Sequence, residues 1–527
     1  MARKPNFLLF ITDQQRADHL GCSGGPLWST PHIDRLATDG CRFTDFHVAT
    51  PICQPNRASL MTGRLPSAHG VQMNGRELSH GERTFVETLR ENGYRSALVG
   101  KAHLQNITAV PARWPLPGER LPRDAQRPWP GVYGQEVAQR WETEPDFELT
   151  LPYYGFERVA LTIGHADEQH GHWRRWLRGQ LPDADHLIGP DNAIPTPGWA
   201  LPALRQAWRT RVPEALYPTN YIAEQTCGLL QELAAQDAPF FVQCSFPDPH
   251  HPFTPPGRYW DLRAPEDMPL PDTFGATLVD PPPPVQWLQA QRQQRGEDFR
   301  PGYASFAATE REVREALALN AGSLACIDDA VGRVMATLAQ LGLDQNTVVV
   351  FTSDHADLFG DRGLLFKGGL HYGALTRVPF IWRDPQATRR GICHEGLAQS
   401  IDLAPTLLAR AGLAPTNGMQ GVSLLPVLAG QVPAAHEGLL IEEEGQRRDY
   451  GLAQRMRLRT LRTRSHRLTV YQGQDWGELY DLERDPQELH NLWHEAASRP
   501  VRQALTEALV QAMMRAADDS PYPTASA

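Results

Sequence analysis

The chain has 527 residues, of which 41% are hydrophobic and 21% charged, with 43 glycines and 45 prolines. That length exceeds what a single apolar core organises, so a large domain with a smaller appended one is expected, and the composition argues against a disordered or fibrous chain. A formal net charge of −10 argues against a nucleic-acid surface, which needs basic side chains to neutralise phosphates, while leaving room for a small anion in a local pocket.

The amino-terminal stretch MARKPNFLLFITDQQ holds an apolar run of strand length that passes directly into acid and amides without a small-residue cleavage site, so it reads as a strand and not a secretory signal. No later apolar stretch reaches the roughly 20 residues of a membrane helix. The seven cysteines are scattered, without a CxxC pair or zinc-like spacing, which points away from a disulfide framework. A cytoplasmic protein, independent of membranes, is expected.

Four runs are continuous, strand-like and end abruptly in polar, reactive residues: Phe7 to Thr12 before DQQ, Ser96 to Val99 before GKAH, Phe240 to Ser245 before PDPHH, and Val348 to Ser353 before DHADLFGD. Such runs predict a sheet buried on both faces. Helical patterns lie between them, among them TFVETLRENGY and REVREALALNAGSLACIDDAVGRVMATLAQLG, the second closing at Gly342. The alternation predicts an α/β fold with a central, mostly parallel sheet flanked by helices. Ligands of such sheets gather beyond the carboxyl ends of the strands, which would bring the four polar tails to one place.

Residues 105–215 differ, with Trp114, Trp129, Trp141, Trp173, Trp176, Trp199 and Trp208 among many prolines and no clear strand pattern. An insertion over the site is expected, either an irregular cap packed by its own aromatics or a lid that shapes substrate. The stretch DPPPPVQW predicts a rigid loop. Beyond a loop-like segment at 413–435, EGLLIEEE, LRTLRTRSHRLTVYQG and GELYDLERDP read as short antiparallel strands, followed by a helix near 500–516. The expected division is therefore 1–425 for the large domain and 426–527 for a small α+β domain.

The segment TPICQPNRASLMTGR sets Cys53 just before Pro55, at the predicted first turn of a helix. Free amides and the macrodipole favour an anion or an anionic nucleophile there, and Arg57 adds a fixed positive charge. Alone, Cys53 would read as a small buried hydrophobe. The run CQPNR followed by ASLMTGR, however, resembles the sulfatase signature C-x-P-x-R…TGR, where sulfatases oxidise the cysteine to formylglycine. The resemblance covers nearly the whole chain and implies the fold of the alkaline phosphatase superfamily, with a small carboxyl-terminal sheet domain.

What the resemblance implies can be set against the chemistry of each position. Asp13 and Gln14 end the first strand and Asp354 and His355 the fourth; with the modified Cys53 they would ligate one divalent cation. Oxygen-rich ligation suits Ca2+, and the imidazole also admits Mn2+. Arylsulfatases usually carry Asp-Asp and Asp-Asn at these places, so this chain looks more like choline sulfatases and phosphonate monoester hydrolases. Asn74, in HGVQMNG, matches an asparagine that this subgroup uses near the oxygens of the transferred group, and also reads as a turn residue before Gly75.

Lys101 and His103 match the sulfatase G-K-x-H, in which lysine holds an oxygen of the transferred group and histidine contacts the formylglycine. Phosphonate hydrolases resembling this chain tend to lack that pair. His250 matches the sulfatase P-H-x-P, leaving His251 as a structural neighbour, and Lys367 in LLFKGG matches the lysine after the metal pair; together His250 and Lys367 could protonate the leaving oxygen. His165, His170 and His172 have no partners of convincing metal-ligand spacing and are expected in a loop of the cap.

The residues imply hydrolysis of a small anionic ester: a sulfate monoester, with a phosphonate monoester or phosphodiester as the alternative. Charge counting agrees, since two aspartates offset a divalent ion and leave Arg57, Lys101 and Lys367 as net positive groups around the nucleophile. The resemblance also implies a formylglycine-generating enzyme as maturation partner. Self-association into a homo-oligomer is left open.

Overall fold

In chain order, the central sheet of the computed structural model contains β1 (Asn6–Thr12), β2 (Cys41–Phe43), β3 (Arg95–Gly100), β4 (Arg158–Ile163), β5 (His170–Gly171), β6 (Phe240–Ser245), β7 (Thr347–Ser353), β8 (Phe380–Arg383) and β9 (Ile392–His394). The structure describes every residue except 1–3, 26, 113, 114, 116–118, 120, 297, 447 and 527; the predicted insertion residue Trp114 therefore lies outside the described residues. The strands lie side by side as β9-β2-β8-β7-β1-β6-β3-β4-β5. Five of them, β7, β1, β6, β3 and β4, run parallel, whereas β8 and β5 pair antiparallel to their inner neighbours. The four strands predicted from sequence form within one residue of their expected limits.

Their continuous apolar character has the expected cause. On β1, Phe7, Leu9 and Ile11 enter one apolar layer while Leu8 and Phe10 enter the other. The long helix Glu310–Gln340 covers the second face together with Pro218–Ala234, and Cys53–Thr62, Phe85–Glu91 and Leu403–Arg410 cover the first. Glu310–Gln340 begins with a reciprocal cap in which Thr309 Oγ1 accepts the Glu312 N–H at 3.3 Å and the Glu312 carboxylate accepts the Thr309 N–H at 2.7 Å. Register then aligns the strand ends: Thr12 stands opposite Ser353, Ile11 opposite Ser245, and Gly100 opposite Ser245. The polar tails that follow consequently start at one level.

Four antiparallel strands, β10 (Gly438–Glu444), β11 (Arg457–Thr463), β12 (His466–Tyr471) and β13 (Gly477–Asp481), form the predicted second sheet. Leu440, Leu461, Leu468 and Leu479 pack with Leu509 of the last helix, Arg499–Arg515. Leu458, Tyr471 and Tyr480 pack with Leu364, Leu370 and Tyr372, so this sheet shares a core with the segment that carries Lys367.

Two expectations are corrected. Residues 105–215 are not wholly an irregular cap, because β4 completes the parallel part of the central sheet and His172–Gln180 forms a helix. The mixed pattern hid the strand: the alternation in Arg158–Ile163 is weakened by half-exposed Val159 and Ala160. Trp141, Trp173 and Trp208 are buried while Trp129 is exposed, and Trp176 and Trp199 pack against Tyr221 and Trp260 beyond the segment. The proline run DPPPPVQW is not a loop throughout, since Pro283 opens a helix to Gln293; proline lacks an N–H that the first helical turn leaves unpaired in any case.

Candidate active site

Cys53 opens the helix Cys53–Thr62, every residue of which is buried. Pro55 lies in the first turn, as its missing N–H allows, and Gly63 closes the helix with φ +67°. Asn56 fixes the helix to the strand tails: its amide donates to the Asp354 carbonyl at 2.5 Å and its oxygen accepts the Ser400 hydroxyl at 2.7 Å. The thiol thereby points into the space where the tails meet. Its sulfur lies 3.0 Å from His355 Nε2, 3.1 Å from Lys367 Nζ and 3.8 Å from Asp13 Oδ1.

The predicted residues from all four tails converge here. Arg57 Nε donates to Asp354 Oδ2 at 2.7 Å and its Nη1 donates to the Lys101 carbonyl at 3.1 Å. Lys101 is ion-paired to Asp13. Lys367 Nζ sits 2.8 Å from Gln14 Oε1, His250 Nε2 and His355 Nε2. Asn74, from a later loop, meets the start of the helix Cys53–Thr62, where its side-chain oxygen accepts the Gln54 N–H at 3.2 Å. His103 is buried in the same cluster, and its Nδ1 has no hydrogen-bond partner among the described residues.

Backbone geometry is specialised at three points. Gln14, His103 and Phe366, each at or next to a predicted site residue, have φ of 64°, 53° and 72°, a conformation that costs a non-glycine residue about 1 kcal/mol or more and persists only when surroundings enforce it. Gly100 is required before Lys101: its φ is +106° and an added Cβ would lie 1.8 Å from the Ser245 carbonyl.

The electrostatics follow from burial and neighbours. Burial by itself raises the Asp13 carboxyl, but Lys101, His250, His165 and His355 hold it well below the ordinary range. Burial and Asp13 push the Cys53 thiol up; Lys367, His355 and Lys101 outweigh them and lower it. Burial and Lys367 lower the His355 imidazole, yet Asp354, Cys53 and Asp13 raise it to about 10. Burial and the nearby cations hold His103 and His250 well below the usual histidine value, so both are neutral bases at neutral pH.

The donor set fits a cation. Ligand atoms of Asp13, Cys53, His250 and His355 all lie within 4.8 Å of one another, and the Lys367 ammonium already rests where several acceptors converge. His355 Nδ1 is bonded to the Ala356 carbonyl at 3.0 Å, which leaves Nε2 as the ligating nitrogen in the manner of an oriented metal-binding histidine. Gln14 is oriented too: its amide nitrogen donates to His251 Nδ1 at 2.8 Å and to Asp357 at 2.5 Å, turning Oε1 inward. His251 itself stacks on Phe366 with ring centroids 3.5 Å apart.

Sequence reasoning missed two residues. His165, expected in a cap loop, is at the centre: Nε2 is 2.9 Å from Lys101 Nζ and 3.5 Å from Asp13 Oδ2, and its ring stacks on His250 at 3.8 Å. Its signal was the polar tail after β4, overlooked because that strand was. Glu136 accepts the N–H groups of His103, Leu104 and Gln105 at 2.7, 2.7 and 2.9 Å and the Tyr153 hydroxyl at 2.6 Å; no local pattern marks it. His170 and His172 pair instead with Glu142 and Glu148.

This sheet, its covering helices and the small antiparallel sheet make the chain an alkaline-phosphatase-like hydrolase: a solved phosphonate monoester hydrolase of Agrobacterium radiobacter superposes with a TM-score of 0.77 and 27% identity, covering 98% of this chain and 97% of that one. A family model described as Sulfatase matches residues 5–413, and one described as N-sulphoglucosamine sulphohydrolase, C-terminal, matches residues 360–515. The chain belongs to the sulfatase family, and by class it is a sulfuric ester hydrolase. An arylsulfatase of Clostridium perfringens is 26% identical over 511 residues, 93% of this chain and 90% of the relative. A choline-sulfatase of Rhizobium meliloti is 28% identical over 506 residues, 95% and 84% respectively.

Proposed function

We propose that the protein hydrolyses a sulfate monoester to an alcohol and inorganic sulfate, with a formylglycine made from Cys53 as nucleophile. The observation that carries this is the placement of Cys53 Sγ at a helix amino terminus, 3.0 Å from His355 and 3.1 Å from Lys367. Hydrated, the aldehyde supplies two hydroxyls on one carbon, one to displace the alcohol at sulfur and the other to expel sulfate as the aldehyde re-forms. Asp13, Gln14, Asp354 and His355, with residue 53, would hold one divalent cation, Ca2+ or alternatively Mn2+, which supplies Lewis-acid polarisation of sulfate oxygens and of the attacking hydroxyl.

The remaining steps fall to side chains. Lys101, Arg57 and Asn74 bind the sulfate oxygens and neutralise charge that develops there. Lys367 and His250 form the acid: His250 Nδ1–H is bonded to the His251 carbonyl, so Nε2 faces the Lys367 ammonium at 2.8 Å, and a proton can pass to the departing alkoxide. His103, neutral and with Nδ1 unpartnered, takes the proton of the second hydroxyl.

A phosphonate monoester or phosphodiester is the second reading, favoured by Gln14 and His355 and by the Agrobacterium radiobacter likeness. Turnover of matched aryl sulfate and aryl phosphonate esters by the purified enzyme decides between them; sulfate preference supports the first reading, and a strong phosphonate preference reverses the order. The proposed division is a catalytic domain of residues 1–425 and a small domain of 426–527, matured in the cytoplasm by a formylglycine-generating enzyme. Among the described residues no helix is long and apolar enough to cross a membrane.

A further inference from the structure

A cavity of about 750 Å3, separate from the cluster around Cys53, lies where the central sheet meets the small carboxyl-terminal sheet. Arg377, Arg462 and Arg464 all line it. A cavity of that size takes a small molecule, and three guanidiniums give it a chemical bias.

Six arginines and six carboxylates line the cavity in all, but most of the carboxylates are committed to partners other than Arg377 and Arg464. Asp18 and Asp361 are engaged by Arg16, and Glu488 by Arg467 and the Gly373 N–H. Asp45 is bonded to His47 Nε2 at 2.8 Å and meets Arg462 only at 3.3 Å. The other terminal nitrogen of Arg462 donates to the carbonyls of Thr463 and Arg464. Among the described residues, Arg377 and Arg464 have no carboxylate within ion-pair distance. Asp272 and Glu395, also on the lining, are exposed to solvent.

The arginines also act on one another. Burial lowers the Arg462 guanidinium, Asp45 and Glu488 oppose this, and Arg377 and Arg467 lower it further. Arg377 likewise contributes to the lowering of His47 after burial and Arg462. Its charge is therefore felt from β11 and from the segment after β2, both of which border the cavity. Like charges held together in a partly desolvated space are relieved by an anion, and the planar guanidinium fork matches the oxygen edges of a tetrahedral one.

We infer that this cavity is a second anion site, distinct from the catalytic cluster, which takes a tetrahedral dianion, free or carried on a small organic group, on Arg377, Arg462 and Arg464. Inorganic sulfate, the product of the proposed reaction, and phosphate share that chemistry. The site does not depend on the catalytic reading, because none of its three arginines belongs to that machinery.

Calorimetric titration of the full-length protein with inorganic sulfate, phosphate and a phosphate monoester tests it. Arg377→Gln and Arg462→Gln should each weaken one sulfate-binding event by about tenfold or more, while turnover at saturating aryl sulfate stays within about twofold. Lys101→Gln, which disables the catalytic cluster, should leave that event unchanged, so loss of product binding at the catalytic site cannot be mistaken for it. Phosphate competing at the same site identifies it as a general dianion site, and the phosphate monoester binding better than either shows that the organic group is read. If Arg377→Gln does not fold, the exposed Arg464→Gln serves, with a smaller loss expected. Sulfate binding identical to wild type in these variants, or equal displacement by chloride at matched ionic strength, overturns the assignment.

Discussion

Glu136→Gln tests how the Lys101–His103 loop is held. The buried carboxylate accepts three successive backbone N–H groups, with Oε2 serving His103 and Oε1 serving Leu104, Gln105 and Tyr153. Glutamine keeps an oxygen for the second group but sets an NH2 against the His103 N–H. Losing a hydrogen bond to a charged acceptor costs about 1.5–3 kcal/mol, and an unsatisfied buried donor about 1–3. Removing a charge whose burial already raises the Glu136 carboxyl above its ordinary value returns part of this, leaving about 2–4 kcal/mol against the native loop. That exceeds the strain held at His103, where φ is 53°, so the loop relaxes and both side chains move. A misplacement of about 1 Å reduces kcat by about 100-fold. Steady-state kinetics on an aryl sulfate should show a fall of 10- to 100-fold by this reasoning, with Tyr153→Phe, which removes one bond of the four, much milder. Glu136→Gln activity within twofold of wild type, or Tyr153→Phe being the worse variant, would refute it.

Further outcomes follow from other contacts. His165→Ala removes an acceptor of Lys101 and should lower kcat about tenfold, with His165→Asn or His165→Gln recovering part; equal loss in all three points to simple packing. Exhaustive chelation should abolish turnover and Ca2+ or Mn2+ restore it, whereas full activity in a preparation free of metal by elemental analysis contradicts the cation site. Acid should destabilise the fold below pH 6.5, because burial pushes His19 down to about 4 and His69 to about 3. The Val71 N–H donates to His69 Nδ1 at 3.1 Å, so the folded state has no place for the second proton. The unfolded chain takes up protons from about pH 6.5 that the native state refuses, and stability present above that value is lost as pH falls, by about 2 kcal/mol per histidine between pH 7 and 5. Thermal melting should therefore fall over that range, and fall less in His69→Gln; a flat or rising profile contradicts the assignment.

The sequence made the parallel strands legible because each is buried on both faces and ends where its register ends, and the motif around Cys53 because its chemistry is local. Asp13, Gln14, Arg57, Lys101, His250, Asp354, His355 and Lys367, each named from the end of a strand or from the motif, lie side by side in the structure. Strand β4 was hidden by partial exposure, and with it the tail that delivers His165. Glu136 was invisible for a different reason: three of its four partners are backbone N–H groups more than thirty residues earlier, and backbone partners leave no trace in residue types. The helix from Pro283 was obscured because prolines that favour a rigid loop also favour a first helical turn.

The central claim is that residue 53 works as an aldehyde and not as a thiol. Mass spectrometry of the tryptic peptide from Phe43 to Arg57 of active enzyme reads this directly: the account predicts a peptide that has lost a sulfur and two hydrogens and gained an oxygen. An unmodified cysteine in a fully active preparation would contradict it.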